Sequence, residues 1–132
     1  MFDHLEILLP EPGHRWPQVR FLVNGEDVIA GSIGPGDEAH GRSVQALFPV
    51  GEPSPLRATG QPRRVNLGEP DCTGGCCGYL SAVVRRIDDV VLWSDWEMPW
   101  EAVRPLEYTF EADAYEAELA RAAADASVRG PR

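Results

Sequence analysis

The chain has 132 residues, 43% of them hydrophobic, and a formal net charge of −9, a size and balance that predict one domain around one core. Its basic residues are all arginine, with no lysine anywhere, which excludes a Walker-type phosphate loop and Schiff-base chemistry, since both need an amine. The apolar runs are too short to span a bilayer, the opening "MFDHLEILLPEPGHRW" predicts no secretory leader, and three cysteines do not make a disulfide framework, so a reduced, cytoplasmic protein without a membrane segment is expected.

In chain order, "FDHLEILL" alternates, with Leu5, Ile7 and Leu9 on one face and His4 and Glu6 on the other. That is the pattern of a half-buried strand ended by Pro10. "QVRFLVNGEDVIA" repeats it with Val19, Phe21 and Val23 inward, and Asn24-Gly25 is a strong hairpin-turn signal. "GSIGPGDEAHG" reads as loop, and a Gly/Pro-rich connection of about 30–62 holds a short helical turn near Ser43–Leu47. "RRVNLG" predicts a strand, and "YLSAVVRRI" and "VVLWSDWEM" predict two more, joined at Asp88-Asp89 because aspartate tolerates positive φ. "EYTF" is the last expected strand. Tyr115, Leu119, Ala122, Ala123 and Ala126 then recur at helical spacing, with Asp113 in the favourable first turn. The fold class expected is α+β, a mostly antiparallel β-sheet with a C-terminal α-helix packed on one face. Residues 1–132 form a single domain in this reading, with a disordered tail over about 128–132.

Charge is unevenly placed. Asp88, Asp89, Asp95, Glu97, Glu101, Glu107, Glu111, Asp113, Glu116 and Glu118 face only Arg104 within their stretch, so this part of the chain carries the whole −9. Such a field repels phosphate backbones, which argues against nucleic acid, and attracts basic proteins. The plainer reading is that the acids keep a small domain soluble. Asp88, Asp89, Asp95 and Glu97 are also candidate ligands for a hard cation, without EF-hand spacing.

All cysteines fall in "DCTGGCCGYL". Cys72, Cys76 and Cys77 with a histidine make a candidate structural zinc site, although a second cysteine pair is missing and His4, His14 and His40 have no H-x3–5-H spacing. Redox chemistry fits less well, because no C-x-x-C opens a helix. The favoured reading is a sharp bend at Gly74, Gly75 and Gly78 with small thiols filling space, and hence no cofactor, zinc being the alternative. A thiol-dependent enzyme, one cysteine activated by a histidine, is a further alternative. No G-x-S-x-G or H-E-x-x-H is present, and "GSIGPG" lacks the dinucleotide fingerprint.

"WSDWEMPW" places Trp93, Trp96 and Trp100 close together. On a regular strand Trp93 and Trp96 point to opposite faces. One of them is then expected at the surface beside Asp95 and Glu97, unless both faces are covered and the indoles are core.

The run "RRVNLGEPDCTGGCCGYLSAVVRRIDDVVLWSDWEMP", followed by "YTFEADAYEAEL", resembles a family of small uncharacterised actinobacterial proteins. These share a Cys/Gly-rich turn, a V-x-W strand and a Tyr-Glu helix. The Arg, Ala, Gly and Pro richness is consistent with a bacterial source. Where such proteins open the turn with a further cysteine this chain reads "LGEPD", so a four-thiolate site is not expected. The resemblance implies a fold and no activity. The function expected from the residues is a non-catalytic interaction module, immunity- or antitoxin-like in one form. It would dock a basic protein partner through Trp93, Asp95, Trp96, Glu97 and Trp100.

Overall fold

Two antiparallel sheets and a C-terminal helix build the protein. The computed structural model describes residues 2–10, 18–29, 39–70, 80–97 and 107–129. The first sheet contains β1 (Leu5–Leu8), β2 (Arg20–Val23) and β3 (Glu26–Asp27), in the order β1-β2-β3. The second is a five-stranded meander of β4 (Ala39–Gly41), β5 (Arg63–Pro70), β6 (Leu80–Ile87), β7 (Val90–Glu97) and β8 (Tyr108–Glu111). A single helical turn, α1 (Val44–Leu47), precedes β5, and α2 (Ala112–Arg129) follows β8 directly.

Local chemistry accounts for most of these elements. In β1, Leu5 and Ile7 are buried while Glu6 and Leu8 are exposed, the two-residue period of a strand with one wet face. Val19, Phe21 and Val23 are all buried. The β2–β3 turn places Asn24 at φ 55° and Gly25 at φ 85°, the left-handed pair that a two-residue hairpin turn needs. Ser43 caps α1, its Oγ accepting from the Ala46 N–H at 3.1 Å. In α2, Tyr115, Leu119, Ala122 and Ala126 are buried.

Three expectations need correction. Ala123 is exposed, because it lies roughly 80° around the helix from Tyr115 and so leaves the apolar stripe. Ala39–Gly41, read as loop, pair with β5 as β4, since an available strand edge overrides weak local propensity. The helical turn expected near Ser43–Leu47 is present as α1, and the connection around it also buries Leu56 and Ala58 in the core. Val128 and Arg129, read as the start of a disordered tail, complete α2, since the helix-breaking Gly-Pro pair of the sequence comes only after them.

The buried residues form one continuous cluster fed by both sheets, α1 and α2. Its contact across the sheets is aromatic: Phe21 of β2 meets Trp93 of β7 edge to face, with ring centroids 5.8 Å apart. Main-chain bonds join the sheets at two places. Asp3 N–H donates to the Thr109 carbonyl, and Val19 N–H donates to the Arg42 carbonyl, each at 2.8 Å. The two sheets therefore share one core, with α2 packed against β1, β7 and β8.

Candidate functional site

The tryptophan strand is an inner strand of the larger sheet, between β6 and the edge strand β8. Its hairpin with β6 turns at Asp88-Asp89, with Asp88 at φ 53°, as the tolerance of aspartate for positive φ predicts. From that turn the β6–β7 ladder runs regularly through Val84↔Trp93 and Val83↔Ser94, then shifts so that Ser81 faces Glu97. Asp95 and Trp96 together oppose Ala82, which makes a β-bulge, and Asp95 takes up the irregularity at φ 51°.

This bulge overturns the expected opposition of the two indoles. One extra residue resets the alternation, so Trp93 and Trp96 share the core face, their ring centroids 6.3 Å apart in an edge-to-face arrangement. Trp93 is fully buried and Trp96 is 4% exposed; neither presents an indole for docking. Trp93 instead organises the core, packing edge to face on Phe21, Trp96, Phe110 and Tyr115. Its Nε1–H donates to the Tyr115 hydroxyl at 3.2 Å, and that hydroxyl donates to the Leu56 carbonyl at 2.6 Å. Burial pushes the Tyr115 pKa well above the ordinary phenol value, against a smaller opposite effect of the Trp93 bond, so the relay stays neutral and structural.

The carboxylates of the expected site are at the surface. Asp95 and Glu97 are exposed, and Glu97 pairs with Arg64 at 3.0 Å. Asp88, Asp89, Glu111 and Asp113 gather at the opposite end of β7. Glu111 is the register partner of Val90, and the Ala112 N–H donates to the Asp89 carbonyl at 2.8 Å. All four are exposed, and among the described residues none forms an ion pair. Asp113 lies in the first turn of α2, where the helix dipole favours its charge. Glu116 is bonded to Arg86 at 2.7 Å. The structure thus places Asp95 and Glu97 at one end of β7 and Asp88, Asp89, Glu111 and Asp113 at the other, rather than in one field around the indoles.

That division removes the shared hard-cation site. Asp89 and Asp95 are separated by roughly 20 Å of extended chain, too far for one ion, and among the described residues no three His, Cys, Asp or Glu side chains are placed to hold a metal. Cys72, Cys76, Cys77 and Trp100 lie outside the described residues, and so do the zinc and thiol-enzyme readings built on the cysteines.

Sequence reasoning missed a polar device on the far side of α2. Glu118 and Arg121 form a two-pronged pair, Nε to Oε1 at 2.9 Å and Nη2 to Oε2 at 2.7 Å. Together they clamp one residue of β1: the Ile7 N–H donates to Glu118 at 2.7 Å, and Arg121 donates to the Ile7 carbonyl at 2.6 Å. Burial pushes the Glu118 carboxyl up, but the Arg121 fork and the Ile7 N–H outweigh it and hold the group below the ordinary value. The i,i+3 spacing of an acid and an arginine is visible in the sequence; its β1 partner is not.

No family model, curated protein or solved structure matches this chain, so the resemblance of residues 63–99 and 108–119 brings no family assignment. Among the described residues, no helix is long and apolar enough to cross a membrane.

Proposed function

We propose that the chain is a non-catalytic protein-interaction module that docks a basic partner through its acidic surface, an immunity- or antitoxin-like inhibitor being one concrete form. The supporting observation is the group of Asp88, Asp89, Glu111 and Asp113 at the turn end of β7, exposed and without ion-pair partners among the described residues. Several arginines near the acidic strands are already committed. Arg64 binds Glu97, Arg86 binds Glu116 and Arg121 binds Glu118, so a negative field is left over at that end. Buried Trp93 and Trp96 give the surface rigidity and take no part in contact. Recognition in this reading is electrostatic, with steering and charge pairing at the rim.

The test is capture from the native host on immobilised full-length protein, at about 0.05 M and about 0.5 M salt, beside the variant Asp88→Asn, Asp89→Asn, Glu111→Gln and Asp113→Asn. A basic protein should be retained at low salt, released at high salt and lost with the variant. Failure to retain any basic protein at either salt would sink the reading.

A further inference from the structure

The five-stranded meander has two faces, and its packing partners occupy one of them. Phe21 of β2 and Tyr115 of α2 both meet Trp93 on the inner face. The common core draws Ala82, Val84, Val91, Trp93 and Phe110 from that face and none of Ile87, Val90 or Leu92. The register sets out the other side, because residues opposite each other on antiparallel strands share a face. Arg85 stands opposite Leu92 and Ile87 opposite Val90, and β8 continues the two rows with Thr109 and Glu111. Ile87 is 49% exposed, and Val90 and Leu92 are half-buried. An apolar strip therefore crosses a sheet face where antiparallel alternation would place polar residues. The charges beside the strip fall into two classes. Arg64 is satisfied, donating to the Ser81 hydroxyl at 3.1 Å and pairing with Glu97 at 3.0 Å. Arg85 on β6 and Glu111 on β8 flank the strip from opposite sides, and among the described residues neither has an ion-pair partner. The Arg85 Nε is buried there without a hydrogen bond.

One unpaired cation and one unpaired anion on either side of an apolar strip make a self-complementary pattern. A two-fold axis lying over β7 and along it sets β6 of one copy above β8 of the other, with the sheets about 10 Å apart. Arg85 of each copy then reaches Glu111 of the other, so symmetry makes the pair twice, and the two apolar strips face each other. A partner of a single charge sign would satisfy only one of the two groups. We propose that this outer face is a homodimer interface, its occupant a second copy of this chain. Four strands, each about 4.8 Å wide, over about 20 Å of length give roughly 400 Å² per copy. That area belongs to weak, reversible association, with an expected Kd of about 10–100 µM. The proposal goes beyond the basic-partner reading, since Asp88 and Asp89 in the turn and Asp113 in α2 are not strand positions of this face.

Sedimentation velocity of the full-length protein, from about 1 µM to about 500 µM in about 0.15 M salt, should show a monomer–dimer equilibrium. Ile87→Asp, at an exposed position, weakens it by about tenfold or more. Arg85→Glu and Glu111→Arg each set two like-charge pairs across the axis and weaken it by a similar factor. An equimolar mixture of these two variants recovers association to within about threefold of the native protein, because every pair across the mixed dimer is again of opposite charge. Native tryptophan emission from Trp93 and Trp96 reports that each variant is folded. Should Arg85→Glu unfold, Ile87→Asp and Glu111→Arg still decide the matter. A monomer at every concentration, a dimer indifferent to these substitutions, or a mixture of folded variants that associates no better than its components overturns the proposal. None of these outcomes touches the basic-partner reading, which fails separately, when capture from the host retains nothing basic.

Discussion

Glu118 illustrates how one carboxylate can serve both a helix and a strand. It neutralises Arg121 on its own helix and accepts the Ile7 N–H of β1, a donor that no neighbouring strand reaches. A free strand edge invites pairing with other chains, and here a charged fork closes it at Ile7. The pH dependence follows from the lowered pKa. The folded protein holds this proton less tightly than the unfolded chain, so the stabilisation is fully present above the unfolded pKa of about 4.3. It is lost as pH falls through the lower folded value. Glu118→Gln should therefore cost about 1–2 kcal/mol near neutral pH, and urea unfolding of the two proteins should converge once the pH falls below the lowered folded-state pKa. A gap that persists in acid would mean that the side chain contributes through packing rather than charge.

At the level of the element, the informative feature is the bulge in β7. Val91 and Trp93 are buried by ordinary alternation, and Trp96 joins them only because Asp95 occupies an extra position at φ 51°. Deleting Asp95 should restore a regular ladder in which Trp96, now two residues from Trp93, still opposes Ala82 on the core face. The expected result is a native-like tryptophan emission, because the deletion removes only the extra residue and leaves Trp96 opposite Ala82. Asp95→Gly, which keeps the extra residue and accepts positive φ without strain, should retain the native emission. A red-shifted emission on deletion would mean that Trp96 does not take the position opposite Ala82. The alternation of Leu5 and Ile7, the Asn24-Gly25 hairpin and the Asp88-Asp89 turn were legible beforehand because each depends on neighbours in sequence. The bulge was not. "WSDWEM" contains no glycine or other irregularity to mark it, and its geometry is decided by the ladder with β6.

Across the whole molecule, Asp3 joins what the strand pattern leaves separate. One carboxylate oxygen accepts from the Asn24 side chain at 2.9 Å and the other from the Thr109 N–H at 2.8 Å, while its own N–H donates to the Thr109 carbonyl. The hairpin of the small sheet and the last strand of the large one are therefore tied by a single residue near the start of the chain. Asp3→Ala leaves the part-buried Thr109 N–H without its acceptor and should cost about 1–3 kcal/mol. Hydrogen exchange should accelerate at Thr109 and at the Asn24 side-chain amide, and stay unchanged at Val84 in the middle of the meander; uniform acceleration would instead indicate global loosening.

The amino-acid order alone determined the kinds of element, most of their inward faces, the absence of lysine chemistry and the place of the excess charge. These follow from periodicity, turn residues and composition, which act over a few neighbours. Tertiary structure decided which surface those elements present. The pairing of β6 with β7 put both described indoles in the core, Asp3 joined the two sheets, and α2 carried Glu118 and Arg121 to Ile7. Each of these is a contact between residues far apart in the chain, where the geometry of the partner, not the local pattern, sets the outcome.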